Sequence, residues 1–359
     1  MRKMKFHLLL YLATNQLTTS FISQGWKNSN TFIHKNPSSL KESELLEVYD
    51  AKPSNALDKY KKEYQESIKD TSAYWSKEGK EKLSWFHPFT TPIHGTFEKG
   101  DVAFFLNGKL NTCYNCLDRH IEAGLGKEKC IIWEGDEAGE VIEFTYEEVL
   151  EKVSQIANTL KKSGVQKGDV VTIYMPMVPE VAMAMLACAR IGAVHSVIFA
   201  GFSSDAIAER IVCSKSPWVI TADVGKRGGR TLNLKQICDT ALEKIKDEGI
   251  VKQVFVYQHY SKAGERTDTV EYIEGRDVIL NDLMNDQRPY CPCEWMDSED
   301  PLFILYTSGS TGRPKGLLHT TAGYSLYAMV TTKRTFDLER GSVFACVADA
   351  GWITGHSYM

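Results

Sequence analysis

The chain has 359 residues, 43% of them apolar and 25% charged, with a formal net charge of −4. That length allows about two domains, and the composition is that of a globular chain able to bury a large core. The mild acidity argues against nucleic acid as the main partner, so any anionic ligand must be met by local clusters of positive charge.

Nine cysteines, odd in number and scattered, point to a reducing compartment rather than a disulfide framework. Cys113-Tyr-Asn-Cys116 has half the spacing of a zinc site. Neither a histidine nor a second such pair completes the tetrahedron, so no metal site is expected. No stretch approaches the roughly 20 apolar residues of a membrane span.

In chain order, residues 1–53 lack a sustained period and are rich in Ser, Asn, Lys and Thr. They read as a poorly ordered extension. Arg2, Lys3 and Lys5 precede the apolar run Phe6–Ala13, so a targeting segment stands as the alternative to a cytoplasmic chain. A helix begins near Asn55, with Leu57, Tyr60, Tyr64 and Ile68 on one face. The segment Tyr74–Phe89 is dense in aromatics and is expected to pack on the main body.

From Thr145 onward, strands and helices alternate. Thr145 to Glu148 forms a capping box opening a helix with Val149, Val153, Ile156 and Leu160 inward. A strand is expected over Val170–Met175, then a helix from Pro179 to Ala189. Further strands are expected at Val194–Phe199 and Trp218–Ala222, with Ser204 capping the helix between them. Short, nearly continuous apolar strands separated by helices predict an α/β fold whose mainly parallel sheet is flanked by helices on both faces. Ligands of such sheets gather beyond the carboxyl ends of the strands.

Two stretches lie where that rule places ligands. Asp223–Arg230 follows a strand and carries Lys226, Arg227 and Arg230 among three glycines. A solvated basic turn is the plain reading; close backbone approach at the glycines, with arginines gripping a phosphate, is the functional one. The second follows the apolar strand Leu302–Tyr306: Thr307-Ser308-Gly309-Ser310-Thr311-Gly312-Arg313-Pro314-Lys315-Gly316. Glycines let N–H groups turn toward an anion, hydroxyls add donors, and Lys315 adds a compact charge. It is not a Walker A loop, because Pro314 precedes the lysine and a short apolar piece, Gly316–His319, follows instead of a helix. The helix starts later, capped by Thr320 or Thr321. Phe344–Ala348 reads as another strand, leading to Asp349-Ala-Gly-Trp-Ile-Thr-Gly-His356.

The string Thr307–Gly316 resembles the phosphate loop of the adenylate-forming superfamily. The likeness widens to Asn115–His120, Ile132-Trp-Glu-Gly-Asp136, Lys167–Val171, Tyr174–Glu180 and Ala184–Val197. Together these are similar to the AMP-forming acetyl-CoA synthetases, from about Tyr74 to the last residue. The resemblance implies a synthetase N-terminal segment over 54–115 and a large AMP-binding domain over 116–359 that is incomplete. It implies acetyl-CoA formation from acetate, ATP and CoA by way of acetyl-adenylate, with Mg²⁺ accompanying ATP. Thr307, Ser308, Gly309, Ser310, Thr311, Gly312 and Lys315 would hold phosphates. Arg227, Gly228, Gly229 and Arg230 would contact CoA; Ile353 and Thr354 would wall the acyl pocket, Thr354 also reaching CoA. Ala350 stands where the family usually has valine. The family's later motifs, including its catalytic lysine, match nothing here, so no catalytic residue is assigned and the chain alone is expected to lack turnover. A propionyl-CoA synthetase, a phosphotransferase and a non-catalytic nucleotide- or CoA-binding fragment are the rival readings.

Overall fold

A computed structural model describes residues 53–137, 139–259, 270–307 and 314–359. The extension assigned to residues 1–53 therefore lies almost wholly outside the described residues. The chain divides into two units at Gln65/Glu66. Helix α1 (Pro53–Lys69) carries the predicted apolar face, and Leu57, Tyr60, Tyr64 and Ile68 on it are exposed.

The part from Glu66 begins with α2 (Thr71–Lys82) and the small strands β1 (Thr91–His94), β2 (Ala103–Leu106) and β3 (Lys109–Leu110). Short helices α3 (Thr112–Cys116) and α4 (Asp118–His120) follow, then the hairpin of β4 (Lys129–Glu134) and β5 (Val141–Thr145). The alternating region runs α5 (Tyr146–Lys162), β6 (Val170–Tyr174), α6 (Pro179–Arg190), β7 (Val194–Val197), α7 (Ser204–Ser214) and β8 (Trp218–Ala222). A ribbon of β9 (Gly225–Arg227) and β10 (Arg230–Leu232) precedes α8 (Leu234–Lys244), β11 (Gln253–Tyr257), β12 (Asp277–Ile279) and α9 (Leu280–Asn285). The chain closes with β13 (Met296–Asp297), β14 (Pro301–Thr307), β15 (Lys315–Thr320), α10 (Thr321–Phe336) and α11 (Ile353–Tyr358).

Seven strands form the main sheet in the order β12-β11-β8-β6-β7-β14-β15. All its pairings are parallel except that of β14 with β15. The α/β expectation is met, and the alternation of side chains explains it. On β8, Trp218 and Ile220 enter one core with residues of α5 and α6, while Val219 enters the other with residues of α7 and α8. On β11, Phe255 and Tyr257 take the first face, Val254 and Val256 the second. Successive side chains point to opposite faces, so an unbroken apolar strand requires helices on both. The aromatic segment packs as expected: Leu83 and Phe89 share a third core with Phe105 and with Ala322, Leu326 and Val330 of α10.

Several local readings hold. Thr145 and Glu148 form the reciprocal capping box, and Pro179 occupies the first turn of α6. Others need correction. The side chain capping α7 is Ser203, whose hydroxyl accepts from Ala206 N; Ser204 is the first helical residue. Thr320 precedes α10 but makes no side-chain cap bond. Gly316–His319 is not a mere apolar piece; it lies within β15, which completes the sheet beside β14. Phe344–Ala348 is not a strand, and Val347 is fully exposed. High β-propensity is not enough there, because a strand exists only against a neighbour's unpaired backbone. Among the described residues that segment pairs with no strand of any sheet.

Candidate functional site

Strands β6, β7, β8, β11 and β14 run in the same sense, so their carboxyl ends form one edge. Past β14 comes the hydroxyl- and glycine-rich loop. Its two ends are cross-strand partners, Thr307 facing Lys315, and both side chains are exposed. The loop thus joins two antiparallel strands, which separates it structurally from a Walker loop that runs from strand to helix. Ser308, Gly309, Ser310, Thr311 and Gly312 lie outside the described residues. The end of β14 is held by Tyr306, whose hydroxyl donates to Arg210 O at 3.1 Å while the Arg210 guanidinium lies 5.3 Å from its ring.

Past β8, the basic stretch forms the β9–β10 ribbon, with Arg227 opposite Arg230. The two-residue tip is Gly228-Gly229, with φ of +58° and +72°. Left-handed conformation at both central residues is what a tight hairpin of this twist requires, and glycine adopts it without steric cost. The tip amides are not open. Gly228 N–H donates to Asp136 Oδ1 at 2.8 Å and Gly229 N–H to Asp136 Oδ2 at 2.6 Å. These two bonds, that of Gly229 first, hold the Asp136 carboxyl below the usual carboxylate range.

Past β7 stands Phe199, which links the ribbon to the C-terminal segment. The Arg227 guanidinium sits 5.0 Å from the Phe199 ring centroid, and the Trp352 ring centroid is 6.0 Å from it. Phe202 adds a second contact to Trp352 at 6.1 Å. Gly351 makes the approach possible, since a Cβ there would lie 2.6 Å from Phe199 N. Asp349 turns back to accept from Gly351 N–H at 2.8 Å. Burial raises the Asp349 carboxyl above its ordinary value, and the Gly351 bond and the Arg227 charge oppose that rise. Ile353 and Thr354 open the short helix α11 and are exposed. A cavity of about 210 Å³ is lined by Lys152, Glu180 and Tyr257 among others, none of them a residue that the sequence assigned to the site.

Behind Ile353 and Thr354, α11 is fastened by His356. Its Nδ1 donates to Ala350 O at 3.3 Å, so its Nε2 accepts from His195 Nε2–H at 3.1 Å. That arrangement leaves His195 Nδ1 as a buried acceptor without a partner among the described residues. Burial lowers both imidazoles, that of His356 to about 4, so the pair is neutral. His356 is therefore a structural histidine with both ring nitrogens bonded.

The structure thus gathers Arg227 and the Gly351-Trp352 segment that leads to Ile353 and Thr354 around Phe199, with Gly228 and Gly229 at the tip of the same ribbon. Thr307 and Lys315 share the same sheet edge. Three residues of this neighbourhood, Phe199, Asp136 and Asp349, received no role from sequence. Asp136 and Asp349 carried only an indirect signal, as the last residue of the Ile132-Trp-Glu-Gly-Asp136 string and the first of the Asp349-Ala-Gly-Trp string.

Residues 120–359 match the family model described as AMP-binding enzyme, and residues 60–116 match the model of the acetyl-coenzyme A synthetase N-terminus. An acetyl-coenzyme A synthetase of Dictyostelium discoideum is 48% identical over 305 residues, covering 85% of this chain and 44% of that protein. Proteins of the same name from Cryptosporidium parvum and a Shewanella strain are 47% and 50% identical, over 87% and 85% of this chain and 45% and 46% of their own length. The chain therefore spans somewhat under half the length of these relatives. With one model covering the sheet and every residue of the candidate site, the chain belongs to the AMP-binding enzyme family.

Proposed function

We propose that this chain carries the ATP- and CoA-facing part of an AMP-forming acetate–CoA ligase. The observation that carries the reading is the shared carboxyl edge: the Thr307–Lys315 pair, which flanks the Ser/Gly stretch in sequence, lies at the same edge as an arginine-bearing hairpin whose Arg227 meets Phe199, the ring that Trp352 also meets. The relatives' shared name supports the choice of acid and acceptor.

In the first step a carboxylate oxygen of acetate bonds to the α-phosphorus of ATP, and the bond from that phosphorus to the bridging oxygen of pyrophosphate breaks. A carboxylate must approach a polyanion, so positioning and cationic stabilisation supply most of the help. Lys315 provides a point charge for the outer phosphates; Thr307, Ser308, Ser310 and Thr311 provide hydroxyl donors, with Gly309 and Gly312 allowing the backbone to close in. Among the described residues no three His, Cys, Asp or Glu side chains converge, so Mg²⁺ fits here as an ion bound mainly by ATP phosphates, whose charge it would neutralise. In the second step the CoA thiol gives up its proton to solvent, its sulfur bonds to the acyl carbon, and AMP departs with the electron pair of the broken acyl–oxygen bond. Arg227 and Arg230 would grip phosphates of CoA by charge-assisted bonds, with Gly228 and Gly229 at the turn, and Thr354 would meet CoA beside the acyl wall formed with Ile353.

All nine cysteines are free, which supports a reducing, cytoplasmic setting. Among the described residues no helix is long and apolar enough to cross a membrane. Titration of the 359-residue chain with MgATP and with CoA tests the reading. Saturable binding of each, without acetate-dependent ATP–pyrophosphate exchange, is the expected result; absence of binding to both would sink it.

A further inference from the structure

We propose that Asp136 is a positioning residue, a built-in carboxylate that locks the tip of the Arg227–Arg230 hairpin so that its two guanidiniums stand on a fixed frame for a phosphate-bearing ligand. The inference rests on the reading that this hairpin meets CoA. A two-residue tip leaves its own N–H groups without ladder partners, and unpaired amides favour either water or an anion. Here the anion comes from the chain itself, 92 residues away in sequence, with one oxygen on each amide. The carboxylate is not on a free loop. Asp136 follows β4, whose Trp133 Nε1–H donates to Met177 O at 2.7 Å just past the carboxyl end of β6.

Two roles for such an acid are conceivable by charge alone: competing with the ligand for the hairpin, or setting the hairpin for it. The geometry favours the second. Asp136 spends both oxygens on backbone amides and, among the described residues, takes no guanidinium. Arg227 instead stacks on Phe199. The acid therefore removes motion from the tip while leaving the cations for something else.

The two roles predict effects of opposite sign. In the 359-residue chain, Asp136→Ala should speed exchange of the Gly228 and Gly229 amides and weaken CoA binding about tenfold, the scale of one or two lost charge-assisted bonds. Asp136→Asn keeps the shape and one acceptor oxygen, so it should fall between. The double variant Arg227→Ala/Arg230→Ala should weaken CoA binding while leaving the tip amides as protected as before. Unchanged amide exchange in Asp136→Ala, or tighter CoA binding, would overturn the proposal. If the arginine variant binds CoA normally while Asp136→Ala still frees the tip, the CoA reading is what fails, and Asp136 keeps only its lock on the hairpin.

Discussion

Two glycine-bearing hairpins stand on the same edge of the sheet, and they are held by different means. The Thr307–Lys315 hairpin grows directly from the main sheet, its first strand buried between β7 and β15. The Arg227–Arg230 hairpin is a detached ribbon whose two strands pair only with each other. It is fixed instead from outside, by Asp136 at the tip and Phe199 at the flank. A loop rooted in a core inherits the stability of that core. A loop held by side chains can be loosened one contact at a time.

The largest test of this contrast is removal of the root. Phe303 on β14 is fully buried, with ring centroids of His356, His319 and Tyr324 at 4.0, 4.4 and 4.6 Å. Phe303→Ala should cost about 3–5 kcal/mol, the range for deleting a buried phenyl ring, and should lower the denaturation midpoint in urea. If the loss is under about 1 kcal/mol, the first hairpin is not rooted as described.

The second test uses pH on the histidine pair beneath the same hairpin. His195 on β7 and His356 on α11 are held neutral by burial, both below the ordinary value, with His319 adding a smaller unfavourable charge to His356. In the unfolded chain they bind protons near pH 6.5. As pH falls below that value the unfolded state gains protons first, so stability drops; for His356 the drop levels off near pH 4, where the folded form also protonates. The full loss from His356 alone is on the order of 3 kcal/mol. Thermal unfolding followed from pH 7.5 to 4.5 should show this slope, and His356→Gln should flatten it. An equal slope in the variant would refute the assignment.

The same contrast governs what the sequence disclosed. The parallel core was legible because its signals are local: the capping box at Thr145, Pro179 at a helix start, and apolar strands of the right length. β15 was missed because Gly316–His319 has only two strongly apolar residues, Leu317 and Leu318, and both are exposed. What makes it a strand is the edge of β14, which no window of sequence contains. Phe344–Ala348 fails for the converse reason, having the composition of a strand but no partner in the sheet. At the candidate site, Arg227 to Arg230 announced themselves by charge and glycine content. Phe199 and Asp136 did not, since each acts through a residue far along the chain.

The detached hairpin offers smaller effects. Gly228→Ala places a Cβ at φ +58°, a conformation costing an L-residue about 1 kcal/mol. Nothing lies within 4 Å of the added atom, so the loss is conformational rather than steric. It should shift the tip amides toward faster exchange and weaken CoA binding several-fold, with the global urea midpoint almost unmoved. A large global loss would mean that the ribbon is part of the core after all.

The smallest effect separates neighbouring acids. Glu137 follows Asp136 directly and reaches Lys226 Nζ at 3.8 Å, but its side chain is 65% exposed. An exposed pair at that distance contributes little, because solvent and salt screen the attraction and ordering two long side chains costs entropy. Glu137→Gln should therefore change unfolding stability by less than about 0.5 kcal/mol, and CoA affinity by less than about twofold. Its tip amides should exchange as in the unaltered chain. Were Glu137→Gln to loosen the tip as much as Asp136→Ala, the hairpin would be held by a general field of negative charge, and the specific bonds to Gly228 and Gly229 would lose their explanatory role.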